Sequence, residues 1–222
     1  VVDGDRIEGI IAADSPTDAQ RVPLGGGILA PGFIDLQVNG AGGALLNLTP
    51  DVAAIETICT TLMQYGTTAC LPTLITDTRA KNLAAMAAGE QAAAKGVRGF
   101  LGLHLEGPHL SVARKGAHDP ALIRPMDEVD LITLVDARKR LPNLLTTVAV
   151  ESVTPNQITR LRDAGLVVSI GHTDATYDKA RAAAEAGATM VTHLFNAQRQ
   201  FGNREPGVVG KALDLGTLWA GL

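Results

Sequence analysis

Short, nearly uninterrupted apolar runs alternate with segments of helical periodicity from residue 33 onward, and no other feature limits the possible folds as severely. The runs fall at residues 33–38, 67–74, 99–104, 144–150, 166–170, 189–194 and 217–222. Runs of this kind suit parallel strands covered on both faces, whereas strands with one wet face alternate apolar and polar residues. The intervening segments carry helix punctuation. Thr49-Pro50 predicts the start of a first helix, with the hydroxyl as N-cap and proline in the first turn. Val52, Ile55, Cys59 and Leu62 then share one face, and Gly66 ends the helix. Leu83 and Met86 mark a second helix, stopped by Gly96. A third runs from about Asp127 through Ile132 and Val135 to Leu141, where Pro142 breaks it. Thr154-Pro155 opens a fourth, closed by Gly165, and Thr176 caps an alanine-rich fifth, closed by Gly187. A βα unit is thus repeated at least five times.

Right-handed crossovers leave two architectures for such repeats, a closed barrel or an open doubly wound sheet. The open dinucleotide-binding form wants G-x-G-x-x-G after its first strand. Gly40-Ala41-Gly42-Gly43 follows the first run without that spacing, and no Walker sequence occurs. Polar residues instead gather at the C-terminal ends of successive runs: Gln37 and Asn39, His104 and Glu106, Glu151, His172, and His193 with Asn196. Barrel enzymes build their sites there. The expected fold is α/β, a (β/α)8 TIM-type barrel over residues 31–222, incomplete at about six and a half βα units. Residues 1–30 are Gly-rich and β-like, with a turn at Asp3-Gly4, and are expected to be part of a small β domain. The chain opens on Val1 inside a strand-like stretch and closes on the apolar run 217–222, so it reads as a fragment of a longer protein.

Composition removes several classes of function. At 46% hydrophobic the chain has ample material for a core. With 19 basic and 23 acidic residues, and no Lys/Arg run longer than Arg138-Lys139-Arg140, neither nucleic acid nor an anionic membrane is expected as a partner. No apolar run reaches the roughly 18 residues of a spanning helix, and no charged-then-apolar leader opens the sequence. Cys59 and Cys70 are too few for a disulfide framework and are expected to be reduced core thiols of a cytoplasmic protein.

The chemistry concentrates in one constellation. All 5 histidines lie between residues 104 and 193. Glu106, His172 and His193 each terminate a predicted strand, so the three can converge on a barrel mouth. Two imidazoles and one carboxylate leave an open coordination position, the donor set of a catalytic zinc site, where a coordinated water has a pKa of about 7. A lone histidine at a strand end is more often a hydrogen-bonded core residue, but three such residues at three strand ends favour the metal. His118 lies in a Gly-rich loop after the Glu106 strand, where a donor to a developing oxyanion would sit; the alternative is an exposed loop histidine.

The segments Pro31-Gly32-Phe33-Ile34-Asp35-Leu36-Gln37-Val38-Asn39-Gly40, His104-Leu105-Glu106-Gly107-Pro108, Lys115-Gly116-Ala117-His118, Gly171-His172-Thr173, Thr192-His193-Leu194-Phe195-Asn196-Ala197 and Arg204-Glu205-Pro206-Gly207 closely resemble the N-acetylglucosamine-6-phosphate deacetylase family, metal-dependent TIM barrels of the amidohydrolase superfamily. The resemblance runs in order along essentially the whole chain. It implies that Glu106, His172 and His193 are metal ligands and that His118 contacts the substrate and polarises the acetamide carbonyl. It further implies that Asn196, the Ala197 N–H and Arg204 hold the phosphate, for which a planar guanidinium is suited. The implied reaction converts N-acetylglucosamine 6-phosphate to glucosamine 6-phosphate and acetate, and the implied full-length protein is a homodimer. Alternatives are the galactosamine epimer or another amidohydrolase substrate, and, in a different class, an inactive fragment or binding module.

Several positions depart from the family pattern. Many amidohydrolases carry H-x-H at the end of the first strand and bind a second metal there. Gln37-Val38-Asn39 stands in its place, and amides are poor zinc ligands beside imidazole, so one divalent ion is expected, Zn²⁺ before Fe²⁺, Co²⁺ or Mn²⁺. His109 stands where an aromatic or other apolar residue is expected, and Gln198 where the family has Met. The family's proton-transferring Asp belongs to an eighth strand beyond the last run. No internal Asp is an obvious replacement: Asp35 lies at the start of a buried strand, and Asp174, on a loop beyond His172, is expected to support that ligand from behind or to be structural.

Overall fold

The structure is a computed structural model and describes residues 1–214 and 216–222. It divides into two compact units, Val1–Pro31 and Gly32–Leu222. In the first, β1 (Val2–Asp3) and β2 (Arg6–Ile7) pair antiparallel, and Gly4, at φ 57°, turns the chain between them. That is a hairpin at the position the Asp3-Gly4 pair signals.

The second unit is built on one parallel sheet. Its strands are β3 (Phe33–Val38), β6 (Thr67–Ile75), β7 (Leu103–Glu106), β8 (Leu144–Val148), β9 (Val167–Ile170), β10 (Met190–Val191) and β11 (Trp219–Ala220). They neighbour one another in chain order. The remaining two strands, β4 (Gly40–Ala41) and β5 (Ala44–Leu45), form a small hairpin. Its turn is Gly42-Gly43, at φ 61° and 79°, which gives the Gly-rich segment after the first run a structural purpose rather than a nucleotide-binding one. The sheet curls: side chains from both edge strands, Phe33 on β3 and Trp219 on β11, border the same concave space. A simple sequential strand order with this curl is part of a TIM-type barrel.

Helices α1 (Val52–Met63), α2 (Arg79–Lys95), α3 (Glu128–Arg138), α4 (Pro155–Asp163), α5 (Tyr177–Ala186) and α6 (Gly207–Asp214) lie between the strands in sequence. The core joins strand residues such as Leu103, Leu105 and Val168 to helix residues such as Ile58, Leu131 and Leu161, all essentially solvent-free. Caps locate most of the helices. Thr154 and Gln157 form a capping box on α4, Thr176 caps α5, and Gly96 closes α2 in the left-handed conformation.

Three expectations need correction. The first helix is capped by Asp51, whose carboxylate accepts from the Ala54 N–H, so Thr49-Pro50 lies just outside it. The third strand begins at Leu103, because Gly99 and Gly102 at φ 81° and 145° bend the chain before it. Ile132 and Leu83 are exposed; the buried faces of their helices run instead through Leu131, Leu134 and Ala137, and through Ala85, Met86 and Gly89. Helix α6 begins two residues after Glu205. Its first N–H, that of Gly207, and the first N–H of α5, that of Tyr177, both donate to one carboxylate oxygen of Glu205, at 3.0 and 2.7 Å. That bracket gives Glu205 of the Arg204-Glu205-Pro206-Gly207 segment a structural role.

Candidate metal centre

Glu106 is the last residue of β7, His172 follows β9 by two residues, and His193 follows β10 by two. The sheet places these three ends side by side. Glu106 Oε1 lies 3.1 Å from His172 Nε2 and 2.9 Å from His193 Nε2, and the two imidazole nitrogens are 3.1 Å apart. Glu106 and His172 are buried and His193 half-buried.

The orientation of the rings is set from behind. His172 Nδ1 meets the Arg114 carbonyl at 2.9 Å and His193 Nδ1 the Asn196 carbonyl at 3.2 Å. Carbonyls only accept, so both Nδ1 atoms carry the proton, and each neutral ring turns a lone pair toward Glu106. Two lone pairs and a carboxylate oxygen at about 3 Å repel one another unless a positive charge joins them. The charge can be a proton on one imidazole or a metal ion. The carboxylate accordingly biases the titration of the site. Burial would lift the Glu106 carboxyl, but the His172 and His193 imidazoles against it prevail and hold it well below the usual carboxylate range. Burial would lower the His193 imidazole, but the same carboxylate outweighs it and raises that group. The donor set therefore fits a divalent cation, which competes with protons for these atoms.

His118 is buried beside the triad, not exposed on a loop. Its ring packs edge-on against His172 with centroids 4.3 Å apart, and its Nε2 is 3.8 Å from Glu106 Oε2. The Thr76 N–H points at Nδ1 from 3.2 Å and the Thr76 hydroxyl lies 2.8 Å from it. An N–H can only donate, so Nδ1 accepts and the proton of the neutral ring resides on Nε2, the nitrogen facing the site. Burial, with His172 beside it, lowers the imidazole to about 4, so the ring is neutral at pH 7.

The fourth histidine in this region has a different task. His104 Nδ1 donates to the Leu36 carbonyl at 3.0 Å, so its Nε2 accepts from the Thr147 hydroxyl at 2.7 Å. Thr147 must then accept from Thr192 at 2.6 Å, and Thr192 from Ser169 at 2.7 Å. This directed chain satisfies the polar groups inside the curl beneath the triad. Burial lowers His104 to about 4, which keeps it neutral.

Gln37 and Asn39 border the concave face of the sheet together with His104 and His193. Asn196 and Arg204 are exposed and Ala197 half-buried on the segment after β10. The part of Asn196 that reaches the triad is its main-chain carbonyl. Gln198 is fully buried, and its amide donates to the Thr192 carbonyl at 2.6 Å, so it holds the loop's own backbone. His109 lies on the opposite side of the strand, in a cavity of about 90 Å³ between α2 and α3, its Nδ1 donating to the Arg124 carbonyl at 3.2 Å. Asp174 is gripped by Arg199 and Arg114, which hold its carboxyl down to about 2. It is a carboxylate at neutral pH and has no proton to give. Sequence reasoning missed Thr76, directly after β6, and Arg114, eight residues past β7; the signal that points to them is their place in loops that follow strands ending at the site.

Residues 28–218 match the amidohydrolase family, and the chain belongs to it. A relative from Shewanella sp. (strain ANA-3), N-acetylgalactosamine-6-phosphate deacetylase, is 40% identical over 216 residues, which are 97% of this chain and 54% of that protein. N-acetylglucosamine-6-phosphate deacetylase from Haemophilus influenzae is 38% identical over 96% of this chain and 56% of its own length. Among solved structures, N-acetylglucosamine-6-phosphate deacetylase from Pasteurella multocida superimposes with a TM-score of 0.87 at 37% identity, covering 94% of this chain and 55% of that one. The chain thus spans about half the length of the curated relatives it matches. No helix among the described residues is long and apolar enough to cross a membrane.

Proposed function

We propose that this chain carries the metal-binding portion of a deacetylase that converts N-acetylglucosamine 6-phosphate to glucosamine 6-phosphate and acetate. The observation that carries the reading is the convergence of Glu106 Oε1, His172 Nε2 and His193 Nε2 with both Nδ1–H groups already committed to carbonyls. Those three atoms would hold one divalent ion, Zn²⁺ before Fe²⁺, Co²⁺ or Mn²⁺. Such an ion supplies Lewis acidity, polarising a carbonyl and acidifying a water. The protein's own contribution is positional. Backbone carbonyls fix both imidazoles in the tautomer that can ligate, and Thr76 fixes His118 in the tautomer that can donate from Nε2. A donor held there, in a buried setting, binds an acetamide oxygen more strongly as negative charge develops on it. Asn196, the Ala197 N–H and Arg204 are proposed to take the phosphate. Asp174, clamped as a carboxylate, does not protonate the leaving amine.

The partner implied is a small phosphorylated amino sugar, the proposed assembly of the full-length protein a homodimer, and the proposed compartment the cytoplasm. The last is supported by two free cysteines whose sulfurs sit 3.6 Å apart, beyond a disulfide bond. The second reading is the galactosamine epimer, favoured by the name of the Shewanella relative. The test measures acetate release from both 6-phosphate epimers and from their dephospho analogues by the metal-loaded full-length protein, which carries the eighth-strand Asp, and again after Arg204→Ala. Loss on the 6-phosphates but not on the dephospho sugars is expected. A folded protein that takes up no divalent ion, or that ignores both sugars, overturns the reading.

A further inference from the structure

Asp174 lies two residues past His172 and joins four consecutive strand-to-helix loops. Its Oδ1 accepts from Arg114 Nε at 2.9 Å and Nη2 at 2.7 Å, on the loop after β7. Its Oδ2 accepts from Arg199 Nη2 at 2.6 Å, on the segment after β10. Its own N–H donates to Glu151 Oε1 at 2.6 Å, at the end of the loop turn after β8, and the neighbouring Thr173 hydroxyl donates to the other oxygen of Glu151. Two of these partners return to the metal centre by their backbones. The Arg114 carbonyl receives His172 Nδ1–H, and the Arg199 N–H donates to the Thr173 carbonyl at 3.1 Å, next to His172. The Ser111 N–H closes the ring on the His172 carbonyl at 2.9 Å.

We propose that Asp174 is a positioning residue for the metal centre: by holding the Arg114 guanidinium it fixes the Arg114 carbonyl that orients the His172 ring. The proposal rests on the reading of Glu106, His172 and His193 as ligands. A His172 left at φ 47° has no conformational reason to stay there, and an unsupported carbonyl does not set a tautomer. Two Arg114 donors on one carboxylate oxygen and the Arg199 guanidinium on the other make the Arg114–Asp174–Arg199 bridge more rigid than a single exposed ion pair. The Glu128–Arg160 pair is the natural comparison. It is equally charged, with contacts of 2.6 and 2.9 Å, and it joins α3 to α4 away from the triad.

The experiment compares Asp174→Asn, Arg114→Gln, their double variant and Glu128→Gln with the parent chain. Zinc affinity is read by competition with a chromophoric chelator, and the His172 ring by ¹⁵N shifts in the metal-free protein. Partners that orient metal-binding histidines typically account for 10–100-fold in affinity. Asp174→Asn and Arg114→Gln are each expected to weaken zinc by about that factor, and the double variant no further, because both act through one carbonyl. Glu128→Gln is expected to leave zinc binding unchanged. In the metal-free Asp174→Asn protein the His172 ring is expected to lose its uniform Nδ1–H form. Wild-type zinc affinity in Asp174→Asn, or additive losses in the double variant, overturns the proposal. If the parent chain itself binds no zinc, the ligand reading fails, and the ring shifts still decide whether Asp174 orients His172: an unchanged Nδ1–H form overturns that as well.

Discussion

Gly107, the residue directly after Glu106, is where backbone conformation and site geometry are most tightly coupled, and Gly107→Ala tests that coupling. The glycine has φ 86°, and a Cβ built on it would lie under 3.0 Å from Thr76 Oγ1 and 3.0 Å from Leu110 Cδ1. Two costs combine. A left-handed conformation costs a residue with a side chain roughly 1–2 kcal/mol. Forcing an extra methyl into a packed neighbourhood costs typically about 1–3 kcal/mol. The variant should therefore unfold about 2–5 kcal/mol more easily. The second cost is specific to Thr76, whose β-branched side chain cannot swing freely and whose hydroxyl holds His118 Nδ1. Thr76→Ala removes the obstructing atom and should itself cost about 0.5–1.5 kcal/mol for the lost hydrogen bond, since the Thr76 N–H still serves His118. In the double variant only the conformational cost and the flexible end of Leu110 remain, so the two changes should fall short of additivity by about 1–3 kcal/mol. Thr76→Val keeps a methyl where the hydroxyl stood, and with it the cycle should be nearly additive. Urea unfolding followed by circular dichroism in the presence of a chelator measures all six proteins. A Gly107→Ala chain within about 0.5 kcal/mol of the parent, or a Thr76→Ala cycle additive to about that margin, refutes the packing argument.

Three further outcomes are expected. His109→Phe should flatten part of the acid sensitivity: burial lowers the His109 imidazole below its ordinary 6.5 despite Asp130, with Arg124 and Asp127 also nearby. The unfolded chain therefore takes up a proton that the folded one refuses, and stability falls as pH drops below 6.5; equal effects of the substitution at pH 7.5 and 5 in urea melts would contradict this. Thr154→Ala, which breaks the capping box on α4, should lower stability by about 1 kcal/mol, read as a shift in urea midpoint, while Thr154→Ser should be close to neutral. Elemental analysis should find close to one metal per chain, and Gln37→His with Asn39→His should raise affinity for a second ion because imidazole replaces amide donors; two tightly held ions in the parent chain would count against the single-metal reading.

The strands were legible because their apolar runs are continuous. The seven runs correspond one to one with β3, β6, β7, β8, β9, β10 and β11. Helix starts were legible where the expected side chain does the capping, as at Thr154 and Thr176, and misplaced by two residues at Thr49, because Asp51 is the residue that caps. Which apolar residues face the core was less legible. Ile132 and Leu83 are apolar and exposed, because a helix over a curved sheet buries only the stripe that meets it, and alanines and Gly89 fill that stripe on α2. Glu205, two residues before α6, takes the first N–H of that helix, but its second bond, from the Tyr177 N–H that opens α5, is a long-range one that no local pattern announces.

At the site the sequence identified side chains and could not identify orientation. Glu106, His172, His193 and His118 announce themselves by residue type and place. What decides their chemistry is which ring nitrogen carries the proton, and that is decided by the Arg114 and Asn196 carbonyls and the Thr76 N–H, groups present at every ordinary position of any chain. The same loops break local rules. His172, His193, Phe195 and Ala197 all have positive φ without being glycine. Residues held so cost of order 1–3 kcal/mol each and persist only where surrounding structure over-determines them. Here the over-determination is visible: Arg114, Glu151 and Arg199 bind the His172–Asp174 loop from three sides, and Gln198 and Asn196 brace the segment after His193. Strain and support occurring together is what the proposed metal centre requires, since its donors must be aimed within about 0.5 Å, which a relaxed loop of common conformations does not enforce.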